Sequence, residues 1–270
     1  MFDRRELFSR ALLAGLGACL PAEALAAGLA AAAQPQWALA LGDVEDDISP
    51  RPLTRLHGRL PPDLAGTLYR NGPALFRRGG TAVNHWFDGD GLVRAFALRD
   101  GRATLQARFV DTAKRRVEAK AGRIVQPGFG TAMRDGAVLG SADDTNAANT
   151  HVIAAGGRLL ALWEAGSAHA MDPATLATQG PVTFRPDLKG MPFLAHPKVE
   201  ASGRIWNIGL SGANAFVWRL SADGALEASK LIKLPAASYC HDFTMTQRHL
   251  IIVLQPWLHE RASMPFASGM

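Results

Sequence analysis

The sequence predicts an all-β fold, and three observations support this prediction. Beyond Asp43, short runs of apolar, β-branched and aromatic residues alternate with polar residues. Gly, Asp, Asn or Pro separates these runs about every ten positions, which is typical of consecutive turns. After residue 35 the sequence has no long amphipathic helix, no dinucleotide fingerprint and no phosphate-binding loop. We therefore expect a series of β-hairpins rather than a Rossmann or hydrolase fold.

The first element is a signal-like segment at residues 1–33. Arg4 and Arg5 precede a short apolar run at residues 11–20, and small residues follow it. This pattern is typical of a secretory signal, and paired arginines indicate the twin-arginine route to the periplasm. The apolar run is too short to span a membrane. An amphipathic first helix and a lipoprotein cleavage box at residues 16–19 remain alternatives.

The hairpins are expected within one domain at residues 34–270. Their predicted turns are Asp100-Gly101, Gly156-Gly157, Ser202-Gly203 and Asp223-Gly224. Asp and Gly tolerate the positive φ angles that tight hairpin turns require. The turns near Gly156, Gly203 and Gln247 are 47 and 44 residues apart, close to the length of a four-stranded propeller blade. The spacing favours a propeller, although a β-sandwich would also produce short strands at this interval.

Composition excludes several classes of function. The net charge of +5 comes from 29 basic and 24 acidic residues that are scattered along the chain, without the basic stripe of a nucleic-acid-binding protein. The two cysteines, Cys19 and Cys240, are too few for a disulfide scaffold and lack a paired metal-binding spacing. We therefore expect a globular domain that is stabilised by packing and does not bind nucleic acid.

Four short segments combine polar side chains with Gly, Pro or aromatic residues. They are GTLYRNGP at residues 66–73, HWFDGDG at residues 85–91, AHPK at residues 195–198 and HDF at residues 241–243. The acidic, glycine-rich end of the second segment is typical of a chain reversal. A calcium site at Asp88 and Asp90 is a weaker alternative, which would make melting sensitive to calcium.

His196 and His241 are the candidate metal ligands. A residue before proline favours extended backbone, which places His196 at a strand end. The two histidines are 45 residues apart, so equivalent positions on adjacent blades would bring both rings to one axis. A single histidine is nevertheless more often a hydrogen-bonded core or surface residue than a ligand. The residues alone leave both interpretations open.

Taken in order, these segments resemble the successive motifs of the carotenoid cleavage oxygenase family. Residues 56–61 (LHGRLP), residues 146–150 (NAANT) and Glu164 belong to the same series, so the similarity covers residues 50–257. Stilbene-cleaving and apocarotenoid-cleaving members from bacteria share these motifs. The individual segments are weak signals, whereas their combination in this order is specific.

The resemblance implies a seven-bladed β-propeller with Fe(II) on its axis, bound by four histidines. His196 and His241 match two of these ligands, and Glu164 matches one of three glutamates that each accept a hydrogen bond from a ligand histidine. The implied reaction is cleavage by O2 of a conjugated C=C bond in a carotenoid, apocarotenoid or stilbene-like substrate. No side chain is expected to act as an acid or a nucleophile. Peripheral membrane contact is a further expectation.

The chain encodes only part of the family pattern, because two histidines and two glutamates of that pattern have no counterpart in it. We expect about four blades of the seven-bladed propeller, from a truncated chain, a fragment, or one half of an assembly with a separately encoded carboxyl-terminal half. The alternative function is that of a catalytically inactive propeller fragment or an apolar-ligand-binding module, which would hold no stoichiometric iron. The other histidines are expected to be structural or exposed: His57, His85, His151, His169, His249 and His259.

Overall fold

The structure, a computed structural model, describes residues 36–132, 137 and 139–259. The signal-like segment predicted at residues 1–33 lies outside the described residues. The chain divides into two units, Met1–Leu41 and Gly42–Met270. The described part of the first unit is a 3₁₀ helix at Gln36–Leu41. In the described ranges, no helix has the length and apolar character needed to cross a membrane.

The second unit consists mainly of short antiparallel strands. In chain order they are β1 (Ile48–Pro52), β2 (Gly66–Arg70), β3 (Pro73–Leu75), β4 (Arg77–Arg78), β5 (Thr81–Ala82), β6 (Asp90–Arg99), β7 (Arg102–Phe109), β8 (His151–Ala155), β9 (Arg158–Leu162), β10 (His169–Met171), β11 (Thr178–Pro181), β12 (Lys198–Val199), β13 (Ile205–Ser211), β14 (Asn214–Leu220), β15 (Leu226–Lys233), β16 (Phe243–Met245) and β17 (Leu250–Ile252). One α-helix, α1 (Ala113–Ala121), lies among the described residues.

The strands form successive sheets that follow one another along the chain. The first has the order β1-β7-β6-β2, with β3 also paired to β6. The second has the order β11-β10-β9-β8 and the third β12-β13-β14-β15, and the β16-β17 hairpin follows. Three blade-sized sheets and the first hairpin of a fourth agree with the predicted number of blades.

The four predicted hairpins are confirmed. Asp100 and Gly101 have φ angles of 52° and 67° and directly join β6 to β7. Gly156 and Gly157 have φ angles of 59° and 70° and join β8 to β9 in the same way. Positive φ at both central residues matches the right-handed twist of the flanking strands. Turn chemistry therefore determined where these strands end.

The hydrophobic core lies between neighbouring sheets. Leu160 and Leu162 of the second sheet cluster with Phe216 and Trp218 of the third. Other clusters join the first sheet to the second and the third to the β16-β17 hairpin. Sheets that pack face to face in sequence order are the arrangement of propeller blades. The edge strand β2 of the first sheet contacts the edge strand β8 of the second.

The acidic segment at residues 85–91 is occupied by protein contacts. The Asp88 carboxylate accepts hydrogen bonds from the backbone N–H groups of Phe129, Gly130 and Thr131 at 2.6, 3.0 and 2.9 Å. Asp90 forms salt bridges with Lys114 and two arginines. Both carboxylates therefore have protein partners, and the segment fixes the surrounding loops.

Candidate metal centre

His196 and His241 occupy equivalent positions on consecutive blades. His196 lies two residues before β12, and His241 lies two residues before β16. Both strands are the first of their sheets. Lys198 Nζ binds Asp242 Oδ1 at 2.7 Å, which joins the two histidine segments directly. The blade repeat therefore delivers both imidazoles to one place.

The two rings meet through their Nε2 atoms. His196 Nε2 and His241 Nε2 are 3.0 Å apart, and the ring planes are inclined at 66°. Glu164, two residues beyond the end of β9, contacts the opposite nitrogen of His241 through Oε1. One potential ligand atom from each of the three side chains lies within 4.8 Å of the others. The structure thus brings together all three residues that the sequence singled out.

The donor set fits a divalent first-row transition metal. Two nitrogen ligands at adjacent positions of an ion, each bonded at about 2.1 Å, lie about 3 Å apart. The observed Nε2 separation has this value. Neutral imidazoles suit iron, copper, zinc and nickel, whereas the set contains no thiolate. The same separation also allows a hydrogen bond between the rings in the metal-free protein, with one Nε2 as donor.

Tyr239 completes the surroundings of His241 and was not predicted from the sequence. Tyr239 Oη donates a hydrogen bond of 2.9 Å to Glu164 Oε2 and lies 3.4 Å from His241 Nδ1. Burial and the neighbouring Glu164 carboxylate raise the pKa of Tyr239, which keeps the phenol protonated. Its spacing of two residues from His241 in an extended segment is the signal that could have revealed it.

Glu164 orients the His241 ring by accepting a hydrogen bond from its Nδ1 atom. Burial raises the pKa of Glu164, while His241 and Tyr239 oppose that rise. A carboxylate at Nδ1 favours the tautomer with the proton on Nδ1 and leaves the Nε2 lone pair free. Nε2 is the atom that faces His196. The arrangement therefore presents a nitrogen lone pair that is free to bind a metal ion at the point where the two rings converge.

His151 lies beside this centre and is exposed, which agrees with the structural or exposed role that the sequence predicted for it. Its ring centroid is 6.3 Å from that of His196, and the two planes differ by 28°. The group of potential ligand atoms does not include His151. His85 instead caps the 3₁₀ helix Trp86–Asp88, and His169 is buried. His151 is thus a neighbour of the candidate centre.

The sequence and the fold are similar to those of characterised oxygenases. Residues 42–268 match the family model described as retinal pigment epithelial membrane protein. The chain is 36% identical over 213 residues to the apocarotenoid-15,15'-oxygenase of Synechocystis, covering 73% of this chain and 44% of the relative. It is 32% identical over 219 residues to resveratrol cleavage oxygenase 1 of Aspergillus fumigatus, covering 79% and 43%. The chain therefore spans less than half the length of these relatives.

Solved structures of the Synechocystis apocarotenoid oxygenase have the same fold over the shared region. The cobalt-substituted enzyme superimposes with a TM-score of 0.68 at 34% identity, covering 78% of this chain and 47% of the enzyme. A mutant of the enzyme gives a TM-score of 0.69 at 32% identity, with the same coverage of both chains. These matches confirm the predicted all-β fold and the partial propeller.

Proposed function

Because the chain belongs to the carotenoid cleavage oxygenase family, we propose that it holds Fe(II) at His196 and His241 and serves oxidative cleavage of a conjugated C=C bond. Its relatives are named as oxygenases of apocarotenoids and resveratrol and as a dioxygenase of lignostilbene. An apolar polyene or stilbene-like molecule and O2 are accordingly the proposed substrates.

The convergence of two imidazole Nε2 atoms is the observation that carries this proposal. The atoms come from consecutive blades and lie 3.0 Å apart, with Glu164 at the far side of one ring. Two basic groups that face each other so closely gain stability from a shared cation. Among the described residues, these two imidazoles are the ligands that we propose for the ion.

Each side chain has a distinct part in this account. His196 and His241 bind the ion through Nε2, Glu164 keeps the proton of His241 on Nδ1, and Tyr239 holds Glu164 in place. A bound ferrous ion supplies the binding and activation of O2. The alkene and O2 contain all the atoms of the two carbonyl products, so no protein side chain has to donate a proton or attack the substrate.

The reaction is tested by incubating the chain with Fe(II), ¹⁸O2 and resveratrol or an apocarotenoid, and by analysing the products with mass spectrometry. The expected result is a pair of carbonyl products, both labelled with ¹⁸O, that appear only with Fe(II). His241→Ala is expected to abolish their formation, whereas His249→Ala, which changes an exposed histidine, should not. Iron binding without cleavage of either substrate would contradict the oxygenase proposal and favour a ligand-binding module.

A further inference from the structure

Two arginines lie directly opposite each other in the first sheet. Arg70 of β2 and Arg94 of β6 are register partners, so their side chains emerge on the same face. Like charges at directly opposed positions destabilise a sheet. Within the described part of the chain, neither guanidinium has a hydrogen bond or a salt bridge. The Nε atom of Arg94 is buried and has no partner there.

Arg94 is held in a confined position. A Cβ atom at Gly72 would lie 3.1 Å from Arg94 Nη2, so the guanidinium runs along the backbone that follows β2. Burial and the charge of Arg70 both lower the pKa of Arg94, which agrees with a close and uncompensated pair of cations. Arg94 is half-buried and Arg70 is exposed, and a partly buried charge without a counterion costs free energy. An anion that reached both guanidinium groups would therefore stabilise the pair.

The arginine pair lies next to the candidate metal centre. The Asn71 side-chain amide donates to the carbonyl oxygens of Ala148 and His151 at 2.8 and 3.0 Å, which fixes the end of β2 against the start of β8. His151 in turn lies beside His196, with ring centroids 6.3 Å apart. Arg70, the residue before Asn71, is therefore held on the side of the metal centre that His151 occupies.

The other nearby cation already has a partner. Lys198 Nζ binds Asp242 at 2.7 Å, whereas Arg70 and Arg94 are left for a ligand. A carboxylate has two oxygens in one plane and can accept from two guanidinium groups at once. Such a group would neutralise the repulsion between the two arginines and satisfy the buried Nε atom.

We propose that Arg70 and Arg94 bind the carboxylate of an acid-ended substrate, an apolar polyene or stilbene with one carboxylate terminus. The inference that this substrate has a conjugated body rests on the proposed function, since the reacting bond has to lie at the metal centre. The anion site itself stands on the opposed arginines. The arginine pair would then bind a substrate with a carboxylate end group more tightly than a neutral substrate with the same conjugated body.

The test compares trans-stilbene-4-carboxylate with its methyl ester, which has the same conjugated body but no charge. Binding of each to the metal-free 270-residue chain is measured by isothermal titration calorimetry. The acid is expected to bind at least about tenfold more tightly than the ester, because charge-assisted hydrogen bonds are stronger than hydrogen bonds between neutral groups. Arg70→Gln and Arg94→Gln should each weaken acid binding about tenfold and leave ester binding unchanged.

Arg99→Gln is the matched control, because it removes the same charge from an exposed residue of the same strand. It should leave both affinities unchanged. Equal affinities of acid and ester for the unmodified chain would overturn the proposal. So would competition by inorganic phosphate at a concentration as low as that of the acid, since the site would then bind anions of any kind. Thermal melting provides a second measurement, in which the acid should raise the melting temperature of the unmodified chain but not of Arg70→Gln.

Failure of this proposal can be distinguished from failure of the proposed function by a separate titration with Fe(II). Normal iron binding with equal affinities for acid and ester would overturn the anion site alone. A clear preference for the acid without iron binding would support the anion site and contradict the oxygenase proposal. Arg70→Lys and Arg94→Lys, which keep the charge but lose the planar donor pair, should fall between the glutamine variants and the unmodified chain.

Discussion

The two candidate ligands differ in what surrounds each imidazole. His241 has Glu164 at Nδ1, and Tyr239 supports that carboxylate. His196 is affected first by burial and then by its neighbour His241, and both lower its pKa. An imidazole binds a metal ion only in its neutral form. A lowered pKa therefore keeps His196 ready to bind in the ordinary pH range.

Glu164→Gln tests the orienting role of the carboxylate. We expect the affinity for Co(II), used as a stable substitute for Fe(II), to fall by about 10-fold to 100-fold, because a group behind a ligand histidine typically has this effect. Absorption titration measures the affinity. Glu200→Gln is the control, since Glu200 accepts from Trp206 and lies outside the metal-binding group. Equal affinities in all three proteins would contradict an orienting role for Glu164.

At the scale of residues, sequence could identify the principal members of the candidate site but not their surroundings. The spacing of His196 and His241 follows from the blade repeat, so pattern and resemblance both indicated the pair. Tyr239 contacts Glu164 across 75 positions of the chain, and such a contact exists only after the blades have packed. The position of His151 beside His196 depends on packing in the same way. The role of His196 and His241 as metal ligands remains a proposal.

At the scale of elements, turns connect one sheet to the next as well as one strand to the next. Gly156, in the turn between β8 and β9, has a φ angle of 59°, and a Cβ atom there would lie 2.1 Å from the carbonyl oxygen of Asp223. Asp223 belongs to the turn between β14 and β15. The second and third sheets therefore touch through two turn backbones, where only glycine fits.

Gly156→Ala is expected to destabilise the fold more than Gly157→Ala. Both residues have positive φ, which costs an alanine about 1 kcal/mol. A Cβ atom at Gly157 would have no neighbour within 4 Å, whereas one at Gly156 would meet the Asp223 carbonyl. Overpacking adds about 1–3 kcal/mol at Gly156. Urea unfolding of the two variants measures the difference, and equal midpoints would show that the turns do not pack together.

The helix α1 carries a buried ion network that sequence patterns did not reveal. Lys114 Nζ binds Asp90 Oδ1 and Glu118 Oε2, both at 2.9 Å, and all three side chains are buried. Lys and Glu four positions apart normally predict an exposed helix face. The helix begins after the cap Thr112 and ends at Gly122, with a φ angle of 64°. The charged side of the helix becomes buried only when the helix packs in the folded protein, so the sequence pattern of the helix alone does not indicate it.

Lys114→Met should destabilise the protein by about 3–5 kcal/mol, because it leaves Asp90 and Glu118 buried without their cation. Urea unfolding measures this loss. Arg185→Met, which breaks an exposed pair with Asp187, should change stability by less than about 1 kcal/mol. Losses of the same size in both variants would show that burial of the network is unimportant.

The same network predicts a dependence of stability on pH. Burial alone would raise the pKa of Asp90, but Lys114 and Arg115 outweigh it and lower the pKa below the usual value. The Asp90 contribution is therefore complete above the unfolded pKa of about 3.9 and is lost as the pH falls through the lower folded value. The urea concentration at the unfolding midpoint of the unmodified chain should decrease as the pH is lowered through this acid range. The decrease should be smaller in Lys114→Met.

At the scale of the whole molecule, the order of hairpins and sheets was predictable because it depends on local turn chemistry and on an even blade interval. The arrangement of three sheets and a further hairpin follows from that interval. The choice between a propeller and a sandwich did not follow from it, because both bury alternating faces of short strands. Packing between consecutive sheets decided that choice.

We also propose that residues 1–33, which precede the propeller, direct export of the protein. Arg4→Lys together with Arg5→Lys should retain the protein in the cytoplasm, because the twin-arginine route reads the arginine pair. Cell fractionation measures the distribution. Arg10→Lys, which conserves charge outside the pair, should leave export unchanged. Periplasmic protein at the normal level in the double variant would contradict this route.

The central claim is that His196 and His241 share one metal ion, and anaerobic Co(II) titration of the single and double alanine variants tests it most directly. Ligands of the same ion act as a unit, so each single substitution should lower the affinity by at least about tenfold and the double substitution should add little. Independent and additive losses, or the same affinity in the unmodified chain and in every variant, would contradict a shared ion.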